Sequence, residues 1–310
     1  MDKVIRMGTR DSTLAVWQAS QVQQLLEHHG HQTELVRIKS EGDLDLQTPL
    51  YDMGVQGVFT RHLDAALLAG RIDLAVHSLK DIPTAPAHGL VQAAVLARGP
   101  VRDLLVFKED TAFMDPQKEA TIATGSLRRR AQWLHRYPKH HIVDLRGNVG
   151  TRLDKLAAQP WQGAIFAAAG LQRIGLRPDH ALELDWMLPA PAQGTIAILC
   201  READPLMLEA LSPLNDPATM LCTGVERAFL RTLLGGCAVP IGAYAHIEAG
   251  YLHFRGNILS VDGRERVDIE KRVKVAQAVT LGEEAARQLL NQGGAAIVAQ
   301  FRNLQTGNPN

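Results

Sequence analysis

The groups in this chain that could do chemistry are a thiol on a glycine-flanked loop, a carboxylate at the end of an apolar run, and arginines gathered where helices begin. Cys237 lies in the segment GGCAVPIG at 235–242. Glycines before it end the preceding helix, because glycine adopts positive φ at little steric cost, and they leave the sulfur without bulky neighbours. Pro240 fixes the chain just beyond. A thiol held this way suits covalent attachment of a group; a small buried core residue is the ordinary alternative for a free cysteine. Thr223 and Glu226 have the spacing of a capping box, with Val225, Phe229, Leu230, Leu233 and Leu234 following, so a helix start is expected there.

Arginine recurs at strand-to-helix junctions. Arg10 sits in TRDS at 9–12, Arg128, Arg129 and Arg130 in TGSLRRR at 124–130, and Arg146 and Arg152 in RGNVGTR at 146–152. Ser12, Ser126 and Asn148 are suitable N-caps. A helix N-terminus is already partly positive, so a cation placed there costs a few tenths of a kcal/mol. An anionic ligand reverses that sign, since free backbone N–H groups and guanidinium forks together bind carboxylate or phosphate. In an open α/β sheet such junctions lie at the carboxyl ends of strands, where ligands bind. The alternative is that each arginine is an ordinary solvated charge. Asp81, in HSLKDIPT at 77–84, closes the set. An ionised carboxylate beside a cationic cleft can stabilise a cationic intermediate or shuttle a proton; a turn residue bonding its own backbone is the bland reading.

Elements must position these groups, and the chain bounds what they can be. Its 310 residues allow two or three domains with a substantial core. Lys+Arg and Asp+Glu both number 33, so no global field draws it to nucleic acid or membrane. Three cysteines without a C-x-x-C pair suggest no disulfide framework, and the 12 histidines show no zinc spacing, so no metal is expected. His28-His29 and His140-His141 read as solvated surface. There is no signal-like segment and no apolar run long enough to span a membrane, so a cytoplasmic protein is expected.

Short apolar runs alternate with helical patterns over the first 200 or so residues, the mark of α/β layering. Strands are expected at 4–7, 34–38 and 73–76, with helices at 12–27 and 59–68. A second set has strands at 104–107, 121–123, 142–145 and 164–168, and helices at 127–135 and 149–157. Pro83, Pro86, Gly99 and Pro100 punctuate the passage between the sets, and an apolar strand at 195–199 could return to the first. From about Asp216 the pattern becomes one long helix, strands at 241–247, 251–260 and 266–272, and a helix at 276–290, a small α+β unit.

These segments, in this order, resemble the porphobilinogen deaminase (hydroxymethylbilane synthase) family. The specific pieces are HSLKDIPT at 77–84, SLRR at 126–129, LRGNVGTRLDKL at 145–156, AAAGLQRIGL at 167–176 and ERAFLRTLLGGC at 226–237. The resemblance implies two periplasmic-binding-protein-like α/β domains with crossing hinge segments plus a small C-terminal α+β domain: 1–98 with 194–213, then 99–193, then 214–310. It implies a transferase that condenses four porphobilinogen molecules head to tail, losing ammonia each time, to hydroxymethylbilane. The dipyrromethane cofactor would be a thioether on Cys237, and Asp81 the catalytic residue. Lys80, Ser126, Arg128, Arg129 and Arg146 match cofactor-binding positions. Arg10, Ser12, Gln18, Arg152, Arg173 and Gln193 match substrate-binding ones. A monomer is implied, with porphobilinogen as its small-molecule partner.

Departures from the family pattern stand out. The loop at 49–57 has Asp52 and Gln56 where lysines are usual, Gly125 replaces a serine, and Ala192 replaces the first glycine before Gln193-Gly194. Loss of cations with gain of an anion predicts weaker retention of long pyrrole intermediates. A binding protein that has lost turnover, or a paralogue that stops elongation early, are the competing functions; Cys237 and Asp81 argue against a mere binder.

Overall fold

The computed structural model describes residues 4–39, 60–234 and 240–306. They build three sheets. In the first, β1 (Ile5–Arg10), β2 (Thr33–Ile38) and β3 (Leu74–Ser78) run parallel, while β10 (Ile196–Arg201) returns antiparallel between β3 and β4 (Leu90–Val95). Helices α1 (Thr13–His28) and α2 (Arg61–Leu68) supply the flanking layers. Successive side chains of a strand point to opposite faces. Leu74 and Val76 therefore enter the core with Val22 and Leu26, while Ala75 joins Leu63 and Leu67 on the other face. Burial on both faces explains why β3 reads as a continuous apolar run.

The second sheet repeats this plan. Strands β6 (Thr121–Ala123), β7 (His141–Val143) and β8 (Gly163–Ala167) are parallel, and β5 (Asp103–Phe107) lies antiparallel between β8 and β9 (Ala181–Glu183). Helices α3 (Leu127–Arg136), α4 (Val149–Ala158) and α5 (Ala168–Arg173) follow β6, β7 and β8. In each sheet the antiparallel inner strand, β10 or β5, is the one entered from a crossing segment. The two crossings meet backbone to backbone, Gly99 N donating to Gly194 O at 3.1 Å. Gly194 has φ +89°, and a Cβ there would lie 2.7 Å from Gly99 O, so both conformation and space require glycine.

A short helix α6 (Pro205–Leu211) leads into α7 (Pro217–Leu234), which packs on the antiparallel sheet β11 (Ile241–Glu248), β12 (Tyr251–Leu259) and β13 (Arg266–Lys274). Helices α8 (Leu281–Leu289) and α9 (Ala295–Thr306) close the unit around Phe229, Phe254 and Leu289. The strand at 195–199 does return to the first sheet, as β10. Strand β4 was hidden among the flanking prolines and glycines.

Two local expectations fail. Helix α7 begins two turns before Thr223: Asp216 is its cap, accepting from Thr219 N at 2.7 Å, with Pro217 opening the first turn. Thr223 Oγ1 instead bonds back to Thr219 O, and Glu226 is fully buried within the helix. His140 is not solvated either. It is buried, stacks on Tyr137 and accepts from Trp133 Nε1 at 3.1 Å, whereas His141 is exposed.

Candidate active site

The carboxyl ends of the parallel strands in both sheets carry the chemistry-bearing residues. After β1, Ser12 caps α1, accepting from Ala15 N at 3.3 Å, with the half-buried Arg10 just before it. Gln18, one turn into α1 and buried, donates to Ser78 Oγ at 2.8 Å, which ties α1 to the end of β3. There a single 3-10 turn, Leu79–Asp81, presents Lys80 and Asp81, both half-buried. Leu79 N donates to Thr195 O, pinning the start of the turn beside β10. His77, just upstream, is held neutral: burial first, then nearby Arg10, lower its pKa to about 4.

On the second sheet Ser126 caps α3 and Asn148 caps α4, accepting from Arg129 N and Thr151 N respectively. Both N-caps are as the sequence implied. Gly125 allows the β6–α3 loop to touch the β7–α4 loop; a Cβ there would stand 2.7 Å from Leu145 O, so a serine would push the loop of Arg146 away. Arg152 Nε donates to Gly147 O at 2.7 Å and Lys155 Nζ to Arg146 O at 3.1 Å, bracing this loop from within α4.

The centre of the assembly is Asp103, which the sequence reading did not single out. It is fully buried at the start of β5. Arg128 Nη2 reaches its Oδ2 at 2.8 Å, and Arg129 meets Oδ1 through Nε at 3.1 Å and Nη2 at 2.8 Å. Burial alone would raise this carboxyl, but Arg128, Arg129, the Gln193 hydrogen bond and Lys80 outweigh it and hold it down to about 2. Arg128 and Arg129 also donate to Leu188 O and Ile165 O. Two of the arginines expected to meet an anionic ligand are thus anchored inside the protein. Gln193 is engaged too. Its Nε2 donates to Val101 O and Asp103 Oδ1, and its Oε1 accepts from Lys80 Nζ at 3.2 Å. Arg173 donates to Gly194 O at 2.6 Å and lies over the Trp17 ring, linking α5 to the return crossing and to α1.

The remaining cations share one field across the two sheets. Arg152 is lowered to about 10, by burial first and then by Arg129 and Arg146, with Asp81 opposing and Arg10 adding to the shift. Burial lowers Lys80 to about 8. Arg152 of the second sheet thus feels both Arg10 and Asp81 of the first, and the Lys80 Nζ to Gln193 Oε1 bond ties the turn of Asp81 to the residues around Asp103. The Arg152 guanidinium, whose protonation is disfavoured, gains from any carboxylate placed beside it. Arg128 Nε, buried, has no hydrogen-bond partner among the described residues. This donor set fits a ligand bearing several carboxylates. Cys237, and Asp52 and Gln56 of the 49–57 loop, lie outside the described residues. No group of three or more metal-ligating side chains occurs among the described residues, and no helix there is long and apolar enough to cross a membrane.

Comparison with known proteins shows the family. The family model for the porphobilinogen deaminase dipyromethane cofactor binding domain matches residues 5–209, and that for the porphobilinogen deaminase C-terminal domain matches 220–291. A porphobilinogen deaminase of Syntrophotalea carbinolica is 43% identical over 299 residues, 95% of either chain. One from Syntrophomonas wolfei is 41% identical over 302 residues, covering 96% of this chain and 99% of that protein. Among solved structures, a periplasmic substrate-binding protein of an ABC transporter from Coxiella burnetii is 16% identical with a TM-score of 0.44, covering 70% of this chain and 94% of that one. The Bordetella pertussis BvgS VFT2 domain is 15% identical with a TM-score of 0.42, covering 67% and 85%.

Proposed function

The chain belongs to the porphobilinogen deaminase family, and from that premise we propose how its residues divide the work. It is a transferase that condenses four porphobilinogen molecules head to tail, releasing ammonia, to give hydroxymethylbilane, and it carries a dipyrromethane cofactor. No comparison favours a binder that has lost turnover. The working division is residues 1–98 with 194–213, then 99–193, then 214–310.

Cys237 is the attachment point in this proposal. When bound, the dipyrromethane supplies the primer whose free pyrrole α-carbon receives the first substrate. Lys80, Ser126 and Arg146 hold its acidic arms; Arg128, anchored on Asp103, offers its Nε, unbonded among the described residues, and Arg129, anchored there too, adds its positive field. Arg10, Ser12, Gln18, Arg152, Arg173 and Gln193 form the substrate side, with Gln193 and Arg173 acting through the crossing segments they bond. Each cycle breaks the aminomethyl C–N bond of porphobilinogen, releases ammonia, forms one C–C bond and releases a proton from the attacked α-carbon. Asp81 acts on the cationic stage. A carboxylate fixed near the pyrrole N–H groups stabilises positive charge there without reorganising during the reaction. Release of the finished chain would take one water, so that four porphobilinogen and one water balance hydroxymethylbilane and four ammonia. The protein works as a cytoplasmic monomer, which light scattering of the purified chain checks.

The observation that carries this assignment is the bonded line from Lys80 Nζ through Gln193 to Asp103 and its two arginines, Arg128 and Arg129, which sets the turn bearing Asp81 against the cationic junction of the second sheet. Intact mass spectrometry tests it. Wild-type protein should carry a two-pyrrole increment that Cys237→Ser lacks. Asp81→Asn should fold and bind porphobilinogen but condense it at least about 100-fold more slowly, the scale of a lost electrostatic stabiliser. Wild-type turnover by Asp81→Asn removes that residue from the chemistry.

A further inference from the structure

We propose that Arg227 is a positioning residue that fixes the turn bearing Asp81 to the helix leading to Cys237. This rests on the roles given above to those two residues. Arg227 lies on α7, about two turns before that helix ends at Leu234. Its side chain crosses to the first unit and meets main-chain carbonyls on both sides of Lys80 and Asp81. Nη1 donates to Leu79 O at 3.2 Å and to Ile82 O at 3.0 Å, and Nη2 donates to Pro83 O at 2.6 Å.

The choice of acceptors matters. Leu79 and Ile82 bracket Lys80 and Asp81, so Arg227 grips the peptide backbone of the turn on either side of the two charged residues. The turn has one internal bond of its own, Ile82 N to Leu79 O at 3.2 Å, and Pro83 cannot donate another. Leu79 N to Thr195 O fixes the backbone at the start of the turn, Lys80 Nζ to Gln193 Oε1 holds one side chain, and the guanidinium fork adds a backbone anchor at its end. Arginine suits this task because its planar donors have fixed mutual geometry, whereas a lysine ammonium reaches the same carbonyls only one or two at a time. The anchor belongs to the third unit, so it sets the turn's position relative to α7 and not merely within the first sheet. Misplacement by about 1 Å from a site remote from the reacting atoms can cost roughly 100-fold in rate.

The test uses the primed, cofactor-loaded enzyme, with steady-state condensation of porphobilinogen and intact mass as readouts. Arg227→Met, which keeps the stem and removes the donors, should lower kcat by about 10- to 100-fold with KM changed by less than about 3-fold, since the lost alignment matters in the transition state. Arg227→Lys should recover part of that loss. In an Asp81→Glu background, whose carboxylate is already displaced, the Arg227→Met penalty should shrink to less than about 3-fold. Wild-type kcat in Arg227→Met overturns the proposal, as does an undiminished penalty in the Asp81→Glu background. Where Arg227→Met does not fold, Arg227→Lys at wild-type thermal stability carries the same comparison, and wild-type kcat there overturns it. Asp81→Asn measured alongside separates the two ideas. Full activity in that variant sinks the role of Asp81, while an inactive Asp81→Asn beside a fully active Arg227→Met sinks only the role of Arg227.

Discussion

Arg98 and Glu226 form a two-pronged ion pair, Nη1 to Oε1 at 2.6 Å and Nη2 to Oε2 at 3.0 Å, which joins the outgoing crossing segment to α7. The same carboxylate accepts from Ala192 N at 2.6 Å and Ala245 N at 2.7 Å, and Arg98 Nε donates to Gln193 O. One buried group therefore ties both crossings and β11 to the helix that precedes Cys237.

Removing one member of such a pair leaves the other charge buried and uncompensated. Glu226→Gln should lower stability by about 3–5 kcal/mol, the usual cost of a broken buried pair. Denaturant titration of the two proteins gives the difference directly, and coincident midpoints with equal slopes would refute it.

Asp103 neutralises Arg128 and Arg129 in the interior, so Asp103→Asn should destabilise the second unit by about 3 kcal/mol or more. The acid limb supplies an independent check. The folded carboxyl is held down to about 2, below its unfolded value of about 3.9, so its contribution is present above that value and fades as pH falls through about 2. The slope of stability against pH in this window should flatten in the variant. An unchanged slope contradicts the assignment.

Ala192 adopts φ +63° while fully buried, a conformation that L side chains disfavour. Ala192→Gly should relieve about 1–2 kcal/mol of left-handed strain and lose about 0.4–1 kcal/mol to a freer unfolded chain, for a net gain of roughly 0.5–1 kcal/mol. Calorimetry that finds the glycine variant less stable than wild type rules this out.

Lys80 is lowered to about 8, chiefly by burial, so its charge is present below that pH and lost above it. Loading of the unmodified chain with porphobilinogen should slow as pH rises through about 8, while stability rises between about 8 and 10.4 because the unfolded lysine binds the extra proton. Lys80→Arg keeps its charge and should carry loading to higher pH. Identical profiles for the two proteins would remove Lys80 from carboxylate capture.

Much of the site was legible because its signals are local. Ser12, Ser126 and Asn148 are caps in the structure as in the sequence, since a cap is decided within three residues. The arginines behind them follow from the same junctions. Thr223 and Glu226 show where such reasoning breaks. The capping-box spacing also arises inside a helix, and the deciding signal was Asp216-Pro217 two turns earlier. His140 failed for a different cause: its burial depends on Trp133 and Tyr137 packing over it, not on its neighbour His141.

The sequence alone determined the α/β layering, the family, and the residue types gathered at strand ends, because periodicity, caps and short motifs are written within a few residues of one another. Tertiary structure decided which charges are spent inside the protein. Asp103 meets Arg129 across 26 residues and Gln193 across 90, Arg98 meets Glu226 across 128, and Arg227 reaches Leu79 across 148. Nothing local distinguishes an arginine that will face a ligand from one that will be desolvated beside a distant carboxylate. That choice is made only when the crossings bring the sheets together and water is excluded, which turns a weak surface charge into a strong buried pair.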